Sequence, residues 1–78
     1  MKISEMMDVK GLDEKCLMKL DSMGYNIEWY HAHDMNALGR ELYCELSGFI
    51  SCLNSLGLVS NVERRNINHY ISQFVIWD

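Results

Sequence analysis

The side chains best suited to bind a metal ion stand together in the sequence His31-Ala32-His33-Asp34. Imidazole and carboxylate groups are ligands that zinc, iron and nickel take in proteins. His31 and His33 would share a side only in an extended segment, because residues two apart on a helix point about 200° from each other. The spacing matches no established metal motif. The sequence therefore favours a polar connection with Asp34 as a helix cap, and a metal site at His31 and His33 is the alternative.

Three cysteines, Cys16, Cys44 and Cys52, are the next candidates for chemistry. Cys44 and Cys52 are eight residues apart in a stretch with helical periodicity, which separates their Cα atoms by about 12 Å. Because a disulfide needs a Cα separation of about 4.4–6.8 Å, these two cannot pair within one helix. No neighbouring base activates either thiol. The odd number of cysteines and a charged N-terminus without an apolar signal-peptide core predict reduced thiols in a cytoplasmic protein.

No motif for catalysis or cofactor binding is present in the sequence. It contains no glycine-rich phosphate loop, no nucleophile elbow and no His-Glu-x-x-His pattern. A monomer of 78 residues has little room for a substrate pocket, and no apolar run approaches the length of a membrane span. We therefore expect neither an enzyme nor a membrane protein, and we expect no cofactor.

The elements that hold these residues are predicted to be helices. Hydrophobic residues make up 49% of the chain, charged residues 23%, and proline is absent, which suits a single helical domain over 1–78. Apolar residues at spacings of three and four predict a long helix over 35–56. They are Met35, Leu38, Leu42, Leu46, Phe49, Leu53 and Leu56. Gly57 and Leu58 suit a Schellman motif that ends this helix.

A last helix is predicted from the capping box of Ser60 and Glu63, in which each side chain accepts a hydrogen bond from the other residue's backbone N–H. The apolar periodicity continues from there, so we expect a helix over 61–76. Only four residues separate it from the long helix. The two helices must therefore form an antiparallel αα-hairpin.

The N-terminal part of the chain has a less regular pattern. Apolar spacing predicts a first helix over 4–23, either continuous or broken at Gly11, with Gly24 at its C-terminal cap. After Gly24 the apolar and polar residues alternate with a period of two, so we interpret 25–33 as an irregular or short extended segment. The whole chain is thus expected to be all-α, with about three helices.

The charge balance argues against nucleic acid as a partner. Lysine and arginine number 7, aspartate and glutamate 11, and the net charge is −4. Nucleic-acid binders usually carry a basic surface that neutralises phosphates, and the only adjacent basic pair here is Arg64 and Arg65. Two interpretations of this pair are open, a solvated helix face or an anchor for an acidic partner.

Two further groups of residues could form a contact surface. Trp29 and Tyr30 are adjacent aromatic residues, and such residues are frequent both at binding hot spots and in cores. Cys44, Gly48 and Cys52 form a row of small residues at spacings of four, which allows another helix to approach closely. That helix could belong to the same chain, or the row could be the seam of a homodimer.

The leading hypothesis is a small, non-enzymatic module that binds another protein, with a homodimer as a further option. The chain is short, acidic and free of proline, and in this general character it is similar to small accessory proteins of phages and mobile elements, without an alignable stretch. Inhibition of a larger host or defence protein, in the manner of anti-CRISPR proteins, is the most concrete form. The alternatives are a DNA-linked regulator or antitoxin that acts as a helical dimer, and a small metal-binding domain. The residues expected to bind the partner are Trp29, Tyr30, His33, Arg64 and Arg65.

Overall fold

The computed structural model of the chain describes residues 1–8 and 10–77, which form an all-α fold. A 3₁₀ turn at Ile3–Met6 precedes three helices, α1 (Glu14–Ala32), α2 (Asn36–Ser55) and α3 (Asn61–Ser72). Each helix packs against the other two, and the 3₁₀ turn packs against α1 and α3. The predicted all-α class is confirmed, and α2 matches the predicted long helix to within one residue at each end.

The core of the molecule is aliphatic, and every element contributes to it. Its buried side chains are Ile3, Leu20, Met23, Ile27, Leu46, Ile50, Leu53, Val59, Ile67, Ile71 and Val75. Among the described residues no polar or charged side chain is buried, which avoids the cost of burying a polar group without a partner. The ionisable and hydrogen-bonding side chains of this part of the chain therefore lie at least partly on the surface.

Helix α1 begins later and ends later than predicted. The Asp13 side chain caps it by accepting a hydrogen bond of 2.7 Å from the backbone N–H of Cys16. The helix then runs without interruption to Ala32. The predicted helix over 4–23 is therefore correct for 14–23 and wrong before residue 14, where Gly11 has a positive φ of 87°. The predicted irregular segment near 25–33 is wrong, because α1 continues through it to Ala32. Tyr25, Ile27 and Trp29 alternate with polar residues because this part of α1 is apolar on two faces. Ile27 is buried in the core, whereas Tyr25 and Trp29 lie on the exposed face.

Gly24 lies inside α1 and allows the N-terminal turn to approach closely. A Cβ atom at this position would lie 2.8 Å from Cγ1 of Ile3. The turn is held there by Ser4, whose backbone N–H and hydroxyl donate to the two carboxylate oxygens of Asp21 at 2.8 and 2.7 Å. Gly24 is thus required by packing, and its prediction as a helix cap is wrong.

A tight turn joins α1 to α2, and it is a Schellman motif. Asp34 adopts a positive φ of 57°, a left-handed conformation that aspartate tolerates better than most residues. The backbone N–H of Met35 donates to the carbonyl of Tyr30 at 2.8 Å, and that of Asp34 to the carbonyl of His31 at 3.3 Å. Asp34 therefore ends α1. Its predicted role as the cap of the next helix is wrong, because Met35 is the N-cap residue of α2 and makes no side-chain cap.

The connection between α2 and α3 has the geometry that was predicted. Gly57 has a φ of 77°, and the backbone N–H of Leu58 donates to the carbonyl of Leu53 at 2.9 Å. In the capping box, the backbone N–H of Glu63 donates to the Ser60 hydroxyl at 3.1 Å, and the backbone N–H of Ser60 donates to the Glu63 carboxylate at 2.8 Å. The predicted Schellman motif at Gly57 and the predicted capping box of Ser60 and Glu63 are both confirmed.

Helix α3 is shorter at its C-terminal end than the predicted 61–76, since it ends at Ser72. The backbone then tightens into hydrogen bonds between residues three apart, which turns the chain so that Val75 is buried in the core. Beyond it, the Arg40 guanidinium donates to the carbonyl of Ile76 at 2.9 Å, and the ring of Trp77 meets that of Tyr43 edge-on. The C-terminal segment thus lies against α2.

Candidate partner-binding surfaces

The five residues predicted to bind a partner do not form one surface. Tyr30, near the C-terminal end of α1, packs over Gly39 near the start of α2. Arg64 and Arg65 begin α3 beside the other end of α2, where the Asn54 amide donates to the Asn61 side chain at 2.9 Å. Because α2 has 20 residues and is therefore about 30 Å long, the aromatic and arginine residues lie at opposite ends of the molecule.

Tyr30 lines a groove between α1 and α2, which we call the acidic groove. Its volume is 170 Å³, and its lining residues are Tyr30, Leu38, Glu41, Leu42 and Glu45. The four α2 residues recur at spacings of three and four, so they share one side of that helix. Tyr30 and Leu42 are half-buried and Leu38 is 46% exposed. The groove thus combines an apolar floor with two carboxylates, and the described residues that line it include no cation.

Trp29 and His33 belong to a different surface, the side of α1 that faces away from the core. Their rings are stacked with centroids 3.8 Å apart, and Nδ1 of His33 lies 2.8 Å from the carbonyl oxygen of Trp29. Met18 and Tyr25 lie further along the same side and are 65% and 67% exposed. We call this surface the outer face of α1.

The two histidines considered as metal ligands have different neighbours. His33 stacks on Trp29, whereas the ring of His31 meets Phe74 edge-on at 5.8 Å. No group of three or more His, Cys, Asp or Glu residues could hold a metal ion within residues 1–8 and 10–77. The arrangement therefore gives the metal-binding alternative no geometric support.

Arg64 and Arg65 line the largest of the three surface cavities described here, at 370 Å³, together with Asn61 and Asn68. The side-chain amide of Asn54 donates to the oxygen of Asn61, so the amino group of Asn61 is not used in that bond. The lining is therefore rich in donors and positive charge, and we call it the arginine cavity. Arg64 and Arg65 were identified from the sequence as a candidate site, whereas Asn61 was not.

Glu63 directly precedes the cavity residue Arg64 in sequence, but its side chain forms hydrogen bonds elsewhere. Its carboxylate accepts hydrogen bonds from the backbone N–H groups of Ser60 and Asp8. These bonds lower the pKa of Glu63, with the bond from Ser60 making the larger contribution and that from Asp8 the next. This carboxylate therefore links α3 to the N-terminal segment.

The row of small residues on α2 faces solvent. Cys44 and Cys52 are exposed free thiols, and a Cβ atom at Gly48 would meet no atom within 4 Å. The interpretation of this row as a packing face within the chain is therefore wrong, because α2 packs through the opposite side that carries Leu46 and Ile50. Its use as a dimer seam stays a prediction.

The remaining cysteine, Cys16, is half-buried beside the cap of α1. Burial raises the pKa of its thiol, and the nearby carboxylate of Asp13 raises it further. Both effects favour the protonated thiol, which is the weaker nucleophile. Cys16 thus has the opposite of the environment that a catalytic cysteine needs.

The acidic groove was missed from the sequence because Leu38 and Leu42 belong to the apolar period that predicted α2, and that period does not show which of its residues reach solvent. The local signal was the pair Glu41 and Glu45, which alternates with these leucines on one side of the helix. Such a pattern marks the edge of a helix stripe, where apolar side chains reach solvent between charges.

Comparison with known proteins gives no match for this chain: no family model, no curated protein and no solved structure is significantly similar to it. In the described part of the chain, no helix is long and apolar enough to cross a membrane.

Proposed function

We propose that this protein acts by binding another protein through the acidic groove, without catalysing a reaction. The observation that carries the proposal is the combination of an exposed Leu38 with Glu41 and Glu45 around one 170 Å³ depression. Exposed aliphatic surface next to charge is a common composition for a binding groove.

The composition of the groove specifies the chemistry of its partner. Its floor, Tyr30, Leu38 and Leu42, would take up an aliphatic side chain. The carboxylates of Glu41 and Glu45 would attract lysine or arginine residues that flank this side chain. The proposed partner is therefore a basic, amphipathic segment of another protein. If this segment belongs to a larger host or defence protein, covering it would inhibit that protein in an anti-CRISPR-like manner.

Nuclear magnetic resonance titration with two synthetic helical peptides tests this proposal. The peptides share one leucine face, and they differ only in carrying lysine or glutamate at the flanking positions. We expect the lysine peptide to cause saturable shifts at the backbone amides of Tyr30, Leu38 and Leu42, and the glutamate peptide to cause none. Equal responses to both peptides, or no saturable shift at these amides, would overturn the proposal.

Two matched variants separate the groove from the overall negative charge. Glu41→Gln combined with Glu45→Gln should weaken binding of the lysine peptide by about tenfold, because two charge interactions are lost. Glu5→Gln combined with Glu14→Gln removes the same number of exposed carboxylates elsewhere and should leave the affinity nearly unchanged. Equal weakening by both double variants would show attraction by net charge alone.

The arginine cavity favours a second candidate function, a DNA-linked regulator. Arg64 and Asn68, which line this cavity, are residue types that can contact phosphates or base edges. A mobility shift on mixed DNA at low salt tests this function. Binding that is lost in Arg64→Gln with Arg65→Gln, but kept in Lys2→Gln with Lys10→Gln, would support it. No binding at low salt would remove it.

A further inference from the structure

The outer face of α1 carries a second apolar stripe, opposite the face that packs in the core. Its five exposed residues recur at spacings of four, three, four and three, and they are Met18, Ser22, Tyr25, Trp29 and Ala32. This is the spacing of the a and d positions of a coiled coil. Leu20, Met23 and Ile27 are buried on the opposite side, so the core does not require the stripe.

The charges beside this stripe differ on its two sides. The g positions of the heptads are acidic and hold Glu14, Asp21 and Glu28, whereas the e positions hold Lys19, Asn26 and His33. In coiled coils these flanking residues set the choice of partner and the orientation of the helices. The flanking charges therefore indicate which kind of helix could pack on the stripe.

A second copy of α1 in the parallel orientation satisfies this pattern. Each g residue then faces the e residue five positions later in the other copy, which places Glu14 opposite Lys19, Asp21 opposite Asn26, and Glu28 opposite His33. In the antiparallel orientation g positions face each other, so acidic residues would meet acidic residues. In the parallel orientation Glu14 meets the opposite charge of Lys19, the other two acidic residues meet the polar side chains of Asn26 and His33, and no two acids meet. The pattern therefore favours a parallel copy of the same helix over an antiparallel one.

We propose that two copies of this protein associate through the outer faces of α1 in parallel, about a twofold axis. Met18, Tyr25 and Trp29, which are exposed in the single chain, would pack across the axis. Ser22 and Ala32 let the helices approach closely between them. The seam is short, with three large side chains per copy, so the dimer is weak and depends on concentration.

The proposed dimer keeps the helix packing of the single chain, and its seam is bordered on the acidic side by the N-terminal segment, whose Met1 and Lys2 line a depression with Tyr25 and Glu28. Helix α2 packs on the side of α1 that carries Leu20 and Ile27. The acidic groove uses Tyr30 and α2 residues, none of which belongs to the stripe. Self-association and partner binding therefore rest on different residues, and either could fail without the other.

The mass in solution, measured by sedimentation equilibrium from low micromolar to near-millimolar concentration, tests this proposal. The wild-type protein should change from monomer to dimer over this range, and Tyr25→Ser should remain a monomer. Leu56→Ser is the matched control, because Leu56 is 68% exposed but is the C-cap residue that follows α2, and this variant should dimerise as the wild type does. Circular dichroism confirms that each variant is folded. The proposal would be overturned if the wild type stayed monomeric at all concentrations, or if Tyr25→Ser and Leu56→Ser lost dimerisation equally.

Charge exchange tests the parallel orientation. Lys19→Glu places acid opposite Glu14 twice in the symmetric dimer and should weaken association by about tenfold. Adding Glu14→Lys restores opposite charges and should recover most of the loss. Failure of the double variant to recover would rule out the parallel pairing, because its net charge equals that of the wild type.

Discussion

The type of a residue does not by itself show its structural role, and two glycines within helices illustrate this. Gly24 and Gly48 both lie in the interior of a helix. A Cβ atom would lie 2.8 Å from Ile3 at the first position and would meet nothing within 4 Å at the second. One glycine is therefore required by packing, and the other only lowers helix propensity.

Substitution by alanine should change stability in opposite directions at these two positions. We expect Gly24→Ala to destabilise the protein by about 1–2 kcal/mol, because displacing the buried Ile3 outweighs the gain in helix propensity. Gly48→Ala should stabilise it by about 0.5–1 kcal/mol. Urea unfolding of both variants measures the difference. Stabilisation by Gly24→Ala would mean that the N-terminal turn does not pack on α1 as described.

At the scale of the elements, short capping motifs and turns set where the helices begin and end. The turn between α1 and α2 places Asp34 at a φ of 57°, where a side chain costs free energy that glycine avoids. We expect Asp34→Gly to stabilise the protein by about 0.5–1 kcal/mol, and Asp34→Ala to destabilise it by a similar amount. Thermal unfolding of the pair checks this. If both substitutions changed stability in the same direction, the turn geometry at Asp34 would be contradicted.

The N-terminal end of α3 should make stability depend on pH through Glu63. Backbone hydrogen bonds lower its pKa in the folded protein, so its contribution is complete above an unfolded-state pKa of about 4.3 and is lost as the pH falls through the lower folded-state pKa. Glu63→Gln removes this titration. We therefore expect the wild type to be more stable near neutral pH, with the difference shrinking in acid.

Urea unfolding between neutral pH and about pH 3 measures this difference for Glu63. Glu5→Gln serves as the control, since it removes an exposed carboxylate that belongs to no cap. A difference between wild type and Glu63→Gln that stays constant with pH would show that the carboxylate makes no charge-dependent bond in the folded state.

At the scale of the whole molecule, the helices separate three surfaces of different chemistry. The acidic groove lies toward the end that holds Tyr30, the outer face runs along most of α1, and the arginine cavity lies beside the start of α3. Opposite charges on one small protein attract different partners, and the net charge of −4 hides this division.

The sequence by itself determined the features that depend on neighbours within a few residues. The apolar period of α2, the capping box of Ser60 and Glu63, and the stop at Gly57 need only local backbone geometry, and all three were predicted correctly. Arg64 and Arg65 were identified by residue type in the same way. Tertiary structure alone decided the rest. Glycine is required at position 24 because Ile3, distant in sequence, packs against it, and Leu38 lines a groove because Tyr30 comes from another helix. These contacts join residues that no local pattern relates, since burial on one side of a helix depends on which other element covers it.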